Sequence, residues 1–242
     1  MEVYKEVFNA ASTYNMLFIN VTGVLVYPTL DVMLKDNEKM YNSWINTSKG
    51  DYSQEYYSKN AIDYPEFTRI IAISYGNFYS ENGLKRTMKR IVNENEFQLL
   101  ATFFDDLNSI SSVILCGDNI ISNDIPLLIK RFLINRDSFD VKTLPKILKN
   151  HLMAKSWDSF VIDTRMVWKF NSLLGSPINT LDLLTNFLSL KTTVDIMKTH
   201  EISEYYWNNT NVNPKTTLDA IQLQSATKVN LVMQLFNLLR EV

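Results

Sequence analysis

One cysteine, two histidines and six glycines in 242 residues set the first limits. The lone Cys116 leaves no intramolecular disulfide and no paired-cysteine metal site, and it reads as a small buried hydrophobe at a strand end. Such thiol usage fits a cytoplasmic location. His151 and His200 have no Cys or carboxylate at ligand spacing, so no zinc centre is expected. No run approaches ~18 consecutive apolar residues, so no membrane-spanning segment is expected. The opening MEVYKEVFNAAS lacks the apolar centre of a signal peptide, which removes the basis for glycosylation at the NNT sequon of 208–210. Neither sign of charge dominates. A formal net charge of −2 argues against a strongly basic nucleic-acid binder and leaves room for a local basic patch.

What is present is ordinary globular material. With 46% hydrophobic and 21% charged residues, the chain can bury a sizeable core, and a single domain over 1–242 is the simplest division. MLFINVTGVLVYP (16–28) is apolar, β-branched and closed by a proline, and predicts a strand. RIIAISYGNFYS (69–80), the turn signal SENG and LKRTMKRIV (84–92) predict a hairpin. Within the polar, Tyr-rich 30–66, DNEKMYNSW reads as helix and NTSKGDYS as loop. ENEFQLLATFFDDLNSI (94–110) carries Phe97, Leu100, Ala101, Phe104 and Leu107 at helical spacing. SVILCG (112–117) reads as a short buried strand, and NDIPLLIKRFLIN (123–135) as a helix with Asn123 at its N-cap. A last strand is expected over 159–162, followed by helices to the end. The pattern is α/β with a mixed sheet flanked by helices.

The order of these elements, and five segments along them, resemble the RNase H-like 3′–5′ exonucleases similar to the exonuclease domain of family B DNA polymerases. The segments are MLFINVTG (16–23), CGDNIISNDIPLLIKRFLIN (116–135), DTRMVWKF (163–170), TLDLL (180–184) and VMQLFNLLR (232–240). Their family counterparts look like MLF-x-DIET, GHN-x-x-x-FDIP, D-x-x-x-WKF, SLDLL and Y-x-x-x-DV-x-x-x-x-x-LF. The resemblance covers nearly the whole chain from about residue 16. It implies an RNase H-like fold of the exonuclease type and a phage or bacterial source.

The resemblance also implies a chemistry, which this sequence has largely lost. Family members hold two divalent ions on four carboxylates; one ion activates the attacking water and the other steadies the leaving oxygen. Mg²⁺ and Mn²⁺ favour such oxygen ligands. In this chain the Asp-x-Glu of the first strand falls on Asn20 and Thr22, the final Asp on Lys228, and the Tyr before it on Gln224. The third carboxylate is retained as Asp124. The His and Asn of the GHN turn fall on Asp118 and Asn119. The charge of the four carboxylate positions therefore moves from about −4 to about zero. An ammonium ~4 Å from a divalent ion costs roughly 8 kcal/mol at an effective dielectric near 20, so metal binding is expected to be lost. The simplest arrangement pairs Lys228 with Asp124. Asp124 then reads as a relic, and an acid in a first helical turn is favourable whatever its history.

Three functions remain open on the sequence. The first is a catalytically inactive exonuclease homologue kept as a nucleic-acid- or protein-binding accessory in DNA replication or repair, with single-stranded DNA or a replication protein as partner. The second is an active enzyme using Mg²⁺ or Mn²⁺ on Asp124 with carboxylates recruited from Asp118 or Asp195. The third is a scaffolding protein that binds a structural partner through the cleft edge or the Tyr-rich 41–57, with no nucleic-acid contact. Lys85, Arg86, Lys89 and Arg90 on a strand, Lys130 and Arg131 on a helix, and Asn119 are the candidate phosphate contacts. Asp105 and Asp106 read as a solvated helix face. Asp163 reads as a helix cap, and Trp168 and Phe170 as packing.

Overall fold

The computed structural model describes residues 16–48, 50–80, 84–110, 113–139, 144–153, 161–169 and 180–240. The chain begins with β1 (Met16–Leu25), followed by α1 (Leu30–Asp36), α2 (Glu38–Thr47) and α3 (Gln54–Asn60). The hairpin β2 (Thr68–Ser80) and β3 (Leu84–Val92) leads to α4 (Glu96–Ser109), β4 (Ile114–Gly117), α5 (Asp124–Ile134) and α6 (Lys146–Met153). β5 (Val161–Asp163) runs directly into α7 (Thr164–Trp168), and α8 (Leu181–Phe187), α9 (Thr199–Asn209) and the long α10 (Pro214–Arg240) follow. The strands form one sheet in the order β3-β2-β1-β4-β5. β2 runs antiparallel to β1 and β3, while β4 runs parallel to β1 and β5. This is the mixed α/β arrangement expected of an RNase H-like sheet flanked by helices.

Strand alternation assigns β1 to two cores. Leu17, Ile19 and Val21 join Leu100, Phe103 and Leu128 of α4 and α5 on one face. Met16 and Phe18 join Cys116, Ile162 and the α10 residues Val232, Met233 and Phe236 on the other. Phe18 meets Phe78 and Phe236 edge-on, with centroids 5.4 Å away in each case. The same period of two puts Asn20 and Thr22 on the α10 face. A register shift between Thr22 and Gly23 then turns the strand. A Cβ at Gly23 would collide with the Thr68 methyl, so no side chain fits the bend. Beyond it, Val24 packs with Ile202 and Tyr206, and Leu25 with Met33, Trp44 and Tyr57.

Two helices within 30–66 were not legible in the sequence. α1 is capped by Thr29, whose hydroxyl accepts from Val32 N, and α3 by Ser53, which accepts from Tyr56 N. Trp44 of α2 and Tyr57 of α3 are fully buried, with Trp44 packed on Phe67, while Tyr52 is exposed. Trp44 and Tyr57 of that segment thus belong to a satellite core, while most of 50–55 is exposed. α6 was also unforeseen. The SENG tip falls largely outside the described residues, as do Phe170 and the first half of the strand expected over 159–162.

A buried ion pair ties the helical layer to the sheet. Glu96, at the start of α4, accepts from Ile70 N at 2.6 Å, from Arg131 Nε and Nη2 at 2.8 and 2.5 Å, and from Asn135 Nδ2 at 3.0 Å. Both side chains are below 10% exposed (8% for Glu96 and 9% for Arg131), so neither can turn outward without abandoning a charge in the interior. Arg131 therefore serves as a clamp and is not available to a phosphate. Replacing it by methionine leaves Glu96 uncompensated and should lower the unfolding free energy by about 3–5 kcal/mol in urea titration. A loss below ~1 kcal/mol would show that the pair is not holding these layers together.

Candidate functional site

The cleft lies past the carboxyl ends of β4 and β5, where parallel strands leave a crevice. Its floor is organised by Asp163, the last residue of β5, which is 1% exposed. One carboxylate oxygen accepts from Asn119 N and Arg165 N at 3.0 Å each, and the other from Ile121 N at 3.2 Å. Asp163 thus caps α7, as expected, and also fixes the turn after β4. That turn needs φ +57° at Asn119, a left-handed conformation that asparagine tolerates better than most residues. Asn119 is thereby explained by backbone geometry.

Around this floor is a cleft of about 350 Å³ whose walls include Asn20, Asp118, Asn123, Asp124, Arg165 and Lys228. Asn20 comes from the middle of β1, Asp124 from the first position of α5 and Lys228 from the middle of α10. Three of the five catalytic-set positions carried over from the resemblance therefore meet in one place, beside Asp118 and Asn119. Asp124 is 1% exposed; one oxygen accepts from Asn123 Nδ2 at 3.1 Å, and the other has no hydrogen-bond partner. Asn123 does occupy the N-cap, but its amide turns to this carboxylate and makes no cap hydrogen bond. Lys228 is half-buried and forms no direct ion pair with Asp124. The expected salt bridge is replaced by a longer-range attraction across the cleft.

Burial dominates the electrostatics. It lifts the Asp124 carboxyl well above the usual range; Asn123 and Lys228 oppose the rise, while Asp118 and Asp163 add to it. Burial also pulls the Lys228 ammonium down, against the carboxylates of Asp124 and Asp118. Asp118 is raised by burial too, opposed chiefly by Arg165. That partner binds it in a fork, Nη2 to Oδ2 at 2.5 Å and Nε to Oδ1 at 3.3 Å. Arg165 went unrecognised in the sequence, because nothing local connects it to an aspartate 47 positions away. With Asp118 engaged in this way, it is not free to be recruited as a metal ligand.

The remaining carried-over positions serve structure. Thr22 is buried and donates its hydroxyl to Asn20 Oδ1 at 3.1 Å. Gln224 accepts from Met197 N at 3.1 Å and donates to Asp195 O at 2.8 Å. Gln234 clasps Lys191 in the same way, through both its N–H and its carbonyl. Two glutamines of α10 thus hold the irregular 191–197 stretch, which leads into a cleft wall formed by Lys198, Thr199 and His200. Asp195 does not line the cleft.

The basic residues do not form one surface. Lys89 pairs with Asp106 at 2.6 Å, and Tyr75 also donates to this carboxylate, so Asp106 is not the solvated acid expected, whereas Asp105 is exposed. Arg86 donates to Asn230 Oδ1, and Lys130 pairs with Glu66 at 2.7 Å. Alternation along β3 sends Arg86 and Arg90 to the α10 side and Lys85 and Lys89 to the α4 side.

The residues do not fit a pair of divalent ions. The Asn20 carbonyl oxygen is engaged by Thr22, Asp118 by Arg165, and an amine faces Asp124 across the cleft. Among the described residues no group of three His, Cys, Asp or Glu is placed to hold a metal, and no helix is long and apolar enough to cross a membrane.

No family model and no curated protein matches the chain. Among solved structures it is similar to the family B DNA polymerase from the hyperthermophilic archaeon Pyrobaculum calidifontis, with a TM-score of 0.49 and 12% identity over 93% of this chain. The match covers 24% of that polymerase, so this chain spans about a quarter of its length. A likeness this distant carries no argument about activity.

An acid with a raised folded-state pKa keeps its proton longer folded than unfolded. Ionising Asp124 therefore costs stability as pH climbs above the ordinary carboxylate range. Asp124→Asn removes that cost. Its stability relative to the parent should grow from about pH 4 to about pH 8 in urea titrations. A difference that stays flat or shrinks would contradict the reading.

Proposed function

We propose that this protein is a catalytically inactive relative of the 3′–5′ exonucleases, a cytoplasmic binding accessory in DNA replication or repair. The observation that carries the proposal is Lys228 facing Asp124 and Asn20 across one cleft. The three positions matched by the sequence resemblance come from remote parts of the chain and converge there, which supports the register of the match. Together they offer one carboxylate, one amide and one amine, where hydrolysis would need several carboxylates around two ions.

The alternative of recruited carboxylates finds little support in the geometry. Asp118 is held by Arg165, and Asp195 lies off the cleft with its carbonyl engaged by Gln224. The cleft is better suited to hold polar groups than to cut them: Asn20, Asn119 and Lys228 present donors, and Asp124 an oxygen without a partner.

Incubating the protein with end-labelled single-stranded DNA in Mg²⁺ and then in Mn²⁺ tests the proposal. No nucleotide release is expected above a buffer control. Release in either metal, abolished by Asp124→Asn, would overturn it. Retention on a single-stranded DNA column that weakens as salt rises would assign the accessory role to nucleic acid, and passage at low salt would assign it to a protein partner.

A further inference from the structure

Beyond the cleft, and independent of how it is read, β3 has the makings of a docking edge. Among the described residues it ends the sheet and pairs only with β2. Every second residue therefore turns its N–H and C=O away from the sheet without a ladder partner. The strand is 9 residues long, beyond the short edges with which proteins usually limit strand addition. It carries Lys85, Arg86, Lys89 and Arg90, all exposed, and no acidic residue, although the whole chain is net negative.

We propose that β3 binds an extended acidic peptide segment by strand addition. The outer backbone edge supplies the hydrogen bonds, and Arg86 and Arg90 select the sequence. Arg86 and Arg90 stand four residues apart, about 13 Å along a strand, and so do Lys85 and Lys89 on the opposite face. A strand laid alongside repeats the same spacing, so acids four residues apart meet Arg86 and Arg90 together, whereas on the other face Lys89 is already paired with Asp106. On the α10 side the segment's side chains enter a groove of about 250 Å³ floored by Met88 and bordered by Arg86, Arg90, Thr227 and Asn230.

Two other occupants fit less well. A nucleic-acid strand follows one surface, whereas these cations are divided between two, and phosphodiesters offer no donors to the edge carbonyls. A second copy of β3 would bring four like charges against four. The same charges that admit an acidic strand repel basic ones, so selectivity is built into the edge.

The test is fluorescence anisotropy on the full chain. The probe is a short labelled peptide of valine and threonine with two glutamate pairs spaced four residues apart. Saturable binding is expected, weakened about tenfold or more by the Arg86→Glu, Arg90→Glu double variant. N-methylation of alternate peptide nitrogens, which blocks strand pairing but keeps the charge, should abolish binding to the unaltered protein. Labelled single-stranded DNA of equal charge should bind more weakly. The proposal is overturned by absence of binding, by equal binding of the N-methylated probe, or by DNA that displaces the bound peptide at equal concentration. The N-methyl arm needs no variant, so it decides the matter even if the double variant fails to fold.

Discussion

Charge taken out of water has to be balanced where it sits, and that constraint shapes this fold's cleft. In a low-dielectric crevice a cluster of carboxylates holds together only when cations sit among them. Here the cations are the protein's own. Arg165 grips Asp118, and Lys228 stands across from Asp124, with backbone N–H groups satisfying Asp163. Each acid has a different solution, and Asp124 has the least complete one. Burial raises its pKa, the Lys228 amine opposes that rise without making contact, and one carboxyl oxygen is left open.

The replacements fit together as a set. An asparagine in β1 accepts from the neighbouring threonine, so neither side chain is left as a buried orphan. At the position where the resemblance expects a tyrosine, Gln224 instead holds the backbone of 195–197, with Gln234 repeating the clasp further along α10.

Much of the fold was legible because β1, β2 and α10 carry strong periodic signals. Alternation in MLFINVTG already implied that Asn20 and Thr22 share a face, and the match of VMQLF placed Lys228 on the cleft side of α10. The misses have physical causes. α1 and α3 are only 7 residues each, held by caps and by the Trp44 cluster, too short for a hydrophobic stripe to announce them. The basic residues looked alike in sequence, yet Arg131 is buried against Glu96 while Arg90 is exposed. Only tertiary contacts separate them. The Asp118–Arg165 fork is likewise a long-range pairing that local pattern cannot reveal.

The proposal that this cleft does not hold catalytic metal is tested most directly by calorimetric titration with Mn²⁺. The unaltered chain should give no binding heat, whereas the triple variant Asn20→Asp, Thr22→Glu, Lys228→Asp should bind the ion. Gln224 is left in place because its clasp is structural. Mn²⁺ binding by the unaltered chain, lost in Asp124→Asn, would contradict the account.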